Sequence, residues 1–522
     1  MRGSSTLWRA LEMARRQNLA AAGEAPPVRI GEGISRRTLL QSIAAAGVVA
    51  ALPREARATP SGRVAIVGGG IAGLTALHHL TEAGVDAHLY EGRTRTGGRM
   101  FTQVPSSGTA FEAGGQLVNT DHHDMHALTR QFGVRLIDRK SEAHDTLILA
   151  NGRLVEDAEF ADALRGIAGQ IGKDADRLDK DYARVSRELD AISFKDYLDR
   201  YDHLIREPWI RRLLEQTCRT EFGVEPHQSS GIQLIFNLPT VHGERAEVLG
   251  GSDEKYVMEG GSGALAQAMT ARYADRISTG KRLLGIDPGI GHANRLAFLD
   301  GTSATADTII VAVPAPILRQ IDFQVPLPRV WRAFIDEITM GRNEKVQARA
   351  ADAVWKGPMG TGGELWQTSD DGYALGWDGT VHMPDRPLDP VWTWYIGGAQ
   401  VDDLSQTPAD QAHRFALATD PAIPGLSGAT TDGPYRRTGW HRDPFTMGAY
   451  SCWAPGQLTR FGHLISVESD HPAQHRVARA GNIIFAGEHV SDAYPGFMNG
   501  GAQTGRMAAE VITGKKLLAA AA

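Results

Sequence analysis

The chain has 522 residues, of which 42% are hydrophobic and 22% charged, enough for roughly three domains' worth of chain and an ordinary core. That composition excludes a mainly disordered chain, and the net charge of −6 excludes a global basic field for nucleic acid. Two cysteines, Cys218 and Cys452, exclude a disulfide scaffold and a cysteine-based zinc or iron–sulfur site.

Residues 1–58 read as a signal peptide. Ser35-Arg36-Arg37-Thr38 puts two arginines before the uncharged run Leu39 to Leu52, which is shorter than the about 20 residues a spanning helix needs. Ala56-Arg57-Ala58 then offers the small residues of a cleavage site. The arginine pair resembles the twin-arginine signal. That resemblance implies the export machinery for folded, cofactor-loaded proteins and a periplasmic or secreted location. The segment carries nine Arg and four Glu, a net +5, which leaves −11 for the rest.

Arg63 to Val67 is a β-branched run that predicts a buried parallel strand. It runs into Gly68-Gly69-Gly70-Ile71-Ala72-Gly73, a G-x-G-x-x-G turn, followed by a helical pattern at Leu74, Leu77 and Leu80 that ends near Gly84. Ala87 to Glu91 reads as a second strand ending in an acid, 18 residues after Gly73. The spacing predicts a dinucleotide site. Gly68 makes the tight turn, Gly70 lets the backbone approach a pyrophosphate, Gly73 lets helix pack on strand, and Glu91 takes the ribose. The helix N-terminus turns unpaired N–H groups toward the phosphates. Either NAD or FAD satisfies this pattern, since both present an adenosine ribose.

Glu91-Gly92-Arg93-Thr94-Arg95-Thr96-Gly97-Gly98-Arg99 resembles the E-x(5)-GGR stretch of the FAD-dependent amine oxidase superfamily. Phe111 to Gln116 resembles the family's next segment. The resemblance implies that Gly98 and Arg99 lie against the FAD diphosphate, and that Gly114, Gly115 and Gln116 lie beside the isoalloxazine. At the far end, Asn482 to Glu488 reads as a buried strand closing on Gly-Glu, followed by Tyr494-Pro495-Gly496-Phe497-Met498-Asn499-Gly500-Gly501 and a helix through Gly505 and Val511. This is similar to the family's C-terminal flavin segment. It implies contacts to FAD from Gly487, Glu488, Phe497 and Met498, with the helix dipole favouring negative charge on the reduced ring. Tyr256 to Leu265 and Ala306 to Pro314 are similar to family core segments without chemistry.

Oxidising a C–H beside nitrogen needs a neutral amine held near the flavin, and a partly dry aromatic pocket favours that form. The resemblance assigns three catalytic residues. Lys345 would reach the flavin N5 through a water, and Tyr450 and Phe497 would form two walls of an aromatic cage. Trp440 would line the flavin. Ala449 stands where covalent-flavin members carry a cysteine, which implies non-covalent FAD. Trp392, Trp394 and Tyr395 alternate as in a strand and are candidates to line the substrate cavity.

The expected fold is α/β: a discontinuous Rossmann-like FAD-binding domain (59–120, 250–325 and 435–522) with an inserted α+β substrate domain (121–249 and 326–434). The first insert reads as helical from Asp176 to Leu198. The overall layout resembles flavin monoamine oxidases and L-amino acid oxidases, in which homodimers are common. The implied reaction oxidises a primary amine to an imine, then an aldehyde or ketone plus ammonia, with O2 reduced to H2O2. The alternative is an L-amino acid oxidase giving a 2-oxo acid. Secreted members of that kind carry a carboxylate-binding arginine where this chain has Leu117 or a near neighbour, so another arginine, such as Arg342 or Arg460, would have to serve instead.

Overall fold

A computed structural model describes residues 62–517, apart from 107, 142–143, 238, 243–244, 250–251, 292, 357–362, 370–371 and 472–473. The expected signal peptide at 1–58 lies outside the described residues. The elements that position the site are, in chain order, β1 Val64–Val67, α1 Ile71–Glu82, β2 Ala87–Tyr90, β3 Thr308–Val311, β4 Asn343–Arg349, β5 Val391–Gly397, β6 Ile483–Phe485 and α2 Met498–Thr513.

All four residues of β1 are buried, as β-branched side chains in a doubly covered strand should be. β1 pairs in parallel with β2 and β3, and β3 pairs in parallel with β6. The two ends of the chain therefore meet in one sheet, in the order Ile277–Ser278, β2, β1, β3, β6, Arg479–Ala480. α1 and α2 pack closely because glycine removes the side chains between them. A Cβ at Gly501 would lie 2.8 Å from Ile71 Cγ2, and one at Gly505 would lie 2.2 Å from the Ala72 carbonyl oxygen. Arg506 of α2 is buried and pairs with Asp124, Glu468 and Glu510 at 2.5, 3.0 and 3.0 Å. Asp124 sits on helix His123–Gln131, whose Met125 and Leu128 share a core with Val64 and Ile484.

A second sheet has seven strands, in the order Tyr435–Arg437, β4, β5, Leu375–Asp378, Glu364–Gln367, Thr146–Ala150, Arg153–Leu154. Tyr435–Arg437 is its edge strand, so this sheet draws on residues on both sides of position 435. The helical stretch is longer and more broken than its charge pattern predicts: Asp157–Lys180, Tyr182–Asp190 and Phe194–Arg200. Asp181 stops the first helix and accepts from Arg184 N–H to start the second, and a Ser193–Asp196 capping box starts the third. Short polar side chains that satisfy orphan N–H groups make such breaks, and spacing alone does not reveal them.

Candidate active site

The glycine turn has the geometry its sequence predicts. Gly68 takes φ +105, and a Cβ there would stand 2.4 Å from the Ala312 carbonyl oxygen. A Cβ at Gly73 would stand 1.9 Å from the Gly68 carbonyl oxygen, so only glycine lets α1 start this close to β1. Gly70 differs: nothing lies within 4 Å of a Cβ there, because that face opens on a cleft. Gly70 caps α1 without a side-chain hydrogen bond, leaving first-turn N–H groups for an anion. Glu91 binds the turn itself, accepting from Gly69 N–H at 2.6 Å and Arg93 N–H at 2.7 Å. Arg93 then clamps Asp443 through two bonds of 2.8 and 2.7 Å, tying this corner to the segment that carries Tyr450.

The cleft continues past Gly98, Arg99, Gly114 and Gly115 to Lys345, Tyr395, Trp440, Tyr450, Phe497 and Met498, with ≈ 1510 Å³ of empty space, open solvent included. An anion cradle at one end, an apolar aromatic end at the other and an elongated cleft between them fit FAD. Gly487 and Glu488 line it too. Glu488 is buried and accepts from Arg99 at 2.9 Å, Ser451 N–H at 3.2 Å, Ser451 Oγ at 2.7 Å and Gly496 N–H at 3.0 Å. Burial opposes its charge, but Arg99, His489 and these bonds outweigh burial and hold the carboxyl below its usual range. Arg99 also donates to the Ala449 carbonyl. Gly114 admits no side chain, since its Cβ would lie 1.8 Å from the Arg99 carbonyl oxygen.

Strand register builds the catalytic end. Lys345 of β4 stands directly opposite Tyr395 of β5, so both project from one face. Val346 and Trp394 project from the other face into the core, beside Trp392, Trp355 and Phe415. Lys345 Nζ donates to the Glu112 carbonyl at 3.1 Å, the Gly114 carbonyl at 2.8 Å and Gln116 Oε1 at 3.3 Å. Burial lowers its pKa from 10.5 to about 8, against the opposing pull of Glu112 and Glu254. Trp440 Nε1 donates to the Ala113 carbonyl at 2.8 Å, pinning the same glycine segment from the other side.

Tyr450 and Tyr395 share a hydroxyl–hydroxyl bond of 3.0 Å, and the Tyr450 hydroxyl also donates to the Thr220 carbonyl. A Cβ at Gly496, next to Phe497, would stand 3.8 Å from the Tyr450 ring. The Phe497 ring packs edge-on against His122, 5.1 Å between centroids. Burial, Tyr395, Glu221 and Glu254 all push the Tyr450 hydroxyl well above its usual pKa, so it stays a neutral phenol. Glu254 is itself pushed up to about 8 by burial and by Glu364 and Glu221. The apolar end of the cleft therefore has acidic side chains near it, of which Glu254 is held mainly protonated at neutral pH.

The structure brings Lys345, Tyr450 and Phe497 to one cleft with Gly68, Gly70, Glu91, Gly98, Arg99, Gly114, Gly115, Trp440, Gly487, Glu488 and Met498. Gly73 sits behind the wall, where it sets the approach of α1. Gln116 also stands behind the wall: its Oε1 accepts from Lys345 and, at 3.1 Å, from Trp377 Nε1. Of the three aromatic candidates on β5, only Tyr395 lines the cleft. Trp392 and Trp394 are core residues, because alternation sends them to the opposite face. Sequence reasoning missed Trp377, Glu221, Glu254 and His489. Only His489, directly after the Gly-Glu end of β6, had a local signal.

These features define a flavoprotein oxidoreductase with a lysine and aromatic rings at its reactive end. The chain matches the model of the flavin-containing amine oxidoreductases over residues 71–513 and belongs to that family. In enzyme class it is an FAD-dependent amine oxidase. It is 23% identical over 480 residues to an L-amino acid dehydrogenase of Synechocystis sp., covering 86% of this chain and 94% of that protein. It is 22% identical over 486 residues to flavin-containing amine oxidase A of Sus scrofa, covering 88% and 87%. Its fold is similar to putrescine oxidase bound to putrescine, at TM-score 0.71 and 19% identity, covering 87% of this chain and 99% of that one. It is also similar in fold to cyclohexylamine oxidase from Brevibacterium oxydans, at TM-score 0.71 and 22% identity, with the same coverage.

Proposed function

We propose that this chain oxidises a primary amine to an imine, which water converts to an aldehyde or ketone plus ammonia, and that O2 takes the electrons to give H2O2. FAD, when bound, supplies the two-electron acceptor. Gly68, Gly70 and the start of α1 would hold its diphosphate, and Glu91 would set the turn at its adenosine end. Lys345, Tyr395, Tyr450 and Phe497 shape the pocket for the reacting nitrogen. The rings exclude water and favour the neutral amine over the ammonium. Lys345, whose pKa burial lowers to about 8, is able to take or return a proton at its Nζ.

The charge layout carries the choice of amine over L-amino acid. Arg342 and Arg460, the two candidates named for an α-carboxylate, are spent in ion pairs with Asp402 at 2.6 Å and Glu337 at 2.5 Å, and neither lines the cleft; the arginines that do, Arg93, Arg99 and Arg282, are engaged by Asp443, Glu488 and Gln320. Glu221 and Glu254 act on Tyr395 and Tyr450, which places acidic side chains beside the aromatic end. Anaerobic mixing with amines and with L-amino acids tests this reading. Flavin bleaching by amines supports it; bleaching by L-amino acids but not by their decarboxylated amines overturns it.

Non-covalent FAD is part of the same proposal. Ala449 lines the cleft where covalent members carry cysteine, and buried Cys218 and Cys452 do not line it. Denaturation and filtration are expected to release all flavin; yellow colour retained on the chain refutes this. Twin-arginine export, a periplasmic or secreted location and a homodimer complete the proposal. Fractionation of cells with and without Arg36→Lys and Arg37→Lys checks export.

A further inference from the structure

One buried side chain on the cleft wall has no protein partner. His489 lies in the single turn Glu488–Val490 after β6 and is 1% exposed. It lines the cleft, and neither Nδ1 nor Nε2 has a hydrogen-bond partner among the described residues. A neutral imidazole carries one donor and one acceptor, and burying both unpaired is costly unless a ligand completes them. The ring has little freedom to turn away. A Cβ at Gly487 would stand 2.6 Å from His489 Cε1 and 2.7 Å from Nδ1, so the imidazole fills the place of any side chain at position 487. Its polar neighbours are already committed, Glu488 to Arg99, Ser451 and Gly496, and Arg99 to Glu488 and Ala449. Burial and Arg99 keep the ring neutral at about 4, against the pull of Glu488.

We propose that His489 is a positioning residue for FAD, its imidazole N–H bonding an oxygen of the diphosphate–ribityl linker between the adenosine cradle and the aromatic end. The proposal rests on the family's flavin and not on which amine is oxidised, so cofactor binding tests it independently of turnover.

Apoprotein of the wild type, His489→Phe and His489→Gln is titrated with FAD by flavin fluorescence, and apo and holo forms are melted in parallel. His489→Phe keeps a ring and removes both nitrogens; His489→Gln keeps a donor. Kd is expected to rise about 5- to 10-fold in His489→Phe and to recover partly in His489→Gln. The apo forms are expected to melt alike while the stabilisation by FAD shrinks. An unchanged Kd in His489→Phe overturns the proposal, as does an equal loss of melting temperature in apo and holo forms at unchanged Kd. If His489→Phe does not fold, 15N-histidine spectra of the wild type decide: His489 resonances that move on adding FAD support the bond, and resonances that stay refute it. Where binding weakens in His489→Gln, altered 31P resonances of bound FAD place the bond on the diphosphate, and unaltered ones place it on the ribityl chain.

Discussion

Replacing Lys345 with methionine is expected to remove one titration from the reductive half-reaction. The amine titrates at about 8 instead of 10.5. At pH 7 about 10% of it is then neutral, roughly 300-fold more than for an unperturbed lysine, a difference worth about 3 kcal/mol. Burial supplies this, because the three acceptors on Nζ are two backbone carbonyls and an amide, none carrying a full charge. The assay is anaerobic stopped-flow bleaching of the flavin by saturating amine as a function of pH. Taking the ratio of wild type to Lys345→Met on the same amine cancels ionisation of the substrate. That ratio is expected to climb up to tenfold per pH unit below about 8 and then level off, at a plateau about 10² or more. A flat ratio, or an inflection near 10.5, refutes the argument. Stability carries the same signature. The native amine loses its proton before the unfolded one, so the cost of burying the charge is fully present below about 8. It fades as pH rises from there to 10.5, and wild type gains on Lys345→Met over that window.

Glu254→Gln removes one of the two carboxylates that raise the Lys345 pKa, so the inflection in bleaching is expected below 8; an unmoved inflection separates the two groups. Gly73→Ala and Gly70→Ala make a matched pair. The first drives a methyl to 1.9 Å from the Gly68 carbonyl and is expected to cost about 3 kcal/mol or more in apoprotein unfolding. The second meets nothing within 4 Å and is expected to leave apoprotein melting unchanged while weakening FAD about tenfold or more, about 1.4 kcal/mol, by fluorescence titration. Tyr450→Phe loses the bond to Tyr395 at 3.0 Å and the one to Thr220 but keeps the ring. Bleaching is expected to slow less than about tenfold, and much more in Tyr450→Leu; equal losses refute the role of the ring.

The cofactor end was legible because each of its residues acts locally. Gly68 and Gly73 each answer one steric demand within a single strand–turn–helix, Gly70 leaves the cleft face of that turn bare, and Glu91 follows at a spacing set by that unit. The reactive end was legible only in part, because register builds it. Lys345 faces Tyr395 through pairing of strands about 50 residues apart in sequence, and Trp377 reaches Gln116 across a further strand. No periodicity in the chain states which face of β5 the cleft will meet, so Trp392, Trp394 and Tyr395 looked alike. Glu221 and Glu254 had no signal at all, since one ends a helix and the other sits at φ 42 in a loop.

The charges of the cleft divide in a way that narrows the chemistry. At its middle, Arg99 and Glu488 neutralise each other and four donors occupy the carboxylate, so this stretch offers a dinucleotide fixed dipoles and little net charge. On the proposed reading the diphosphate would instead be held by backbone N–H groups at α1, which are screened less by salt than surface lysines. The reactive end is walled by Lys345, Tyr395, Tyr450 and Phe497. In the proposed reaction an amine would have to surrender its proton to enter an aromatic pocket that disfavours charge. Lys345 stands at that boundary with a proton affinity close to neutral pH. On the proposed reading burial therefore acts twice: it disfavours an ammonium at the aromatic end, and it lowers the Lys345 pKa to about 8, where the amine can exchange a proton near neutral pH.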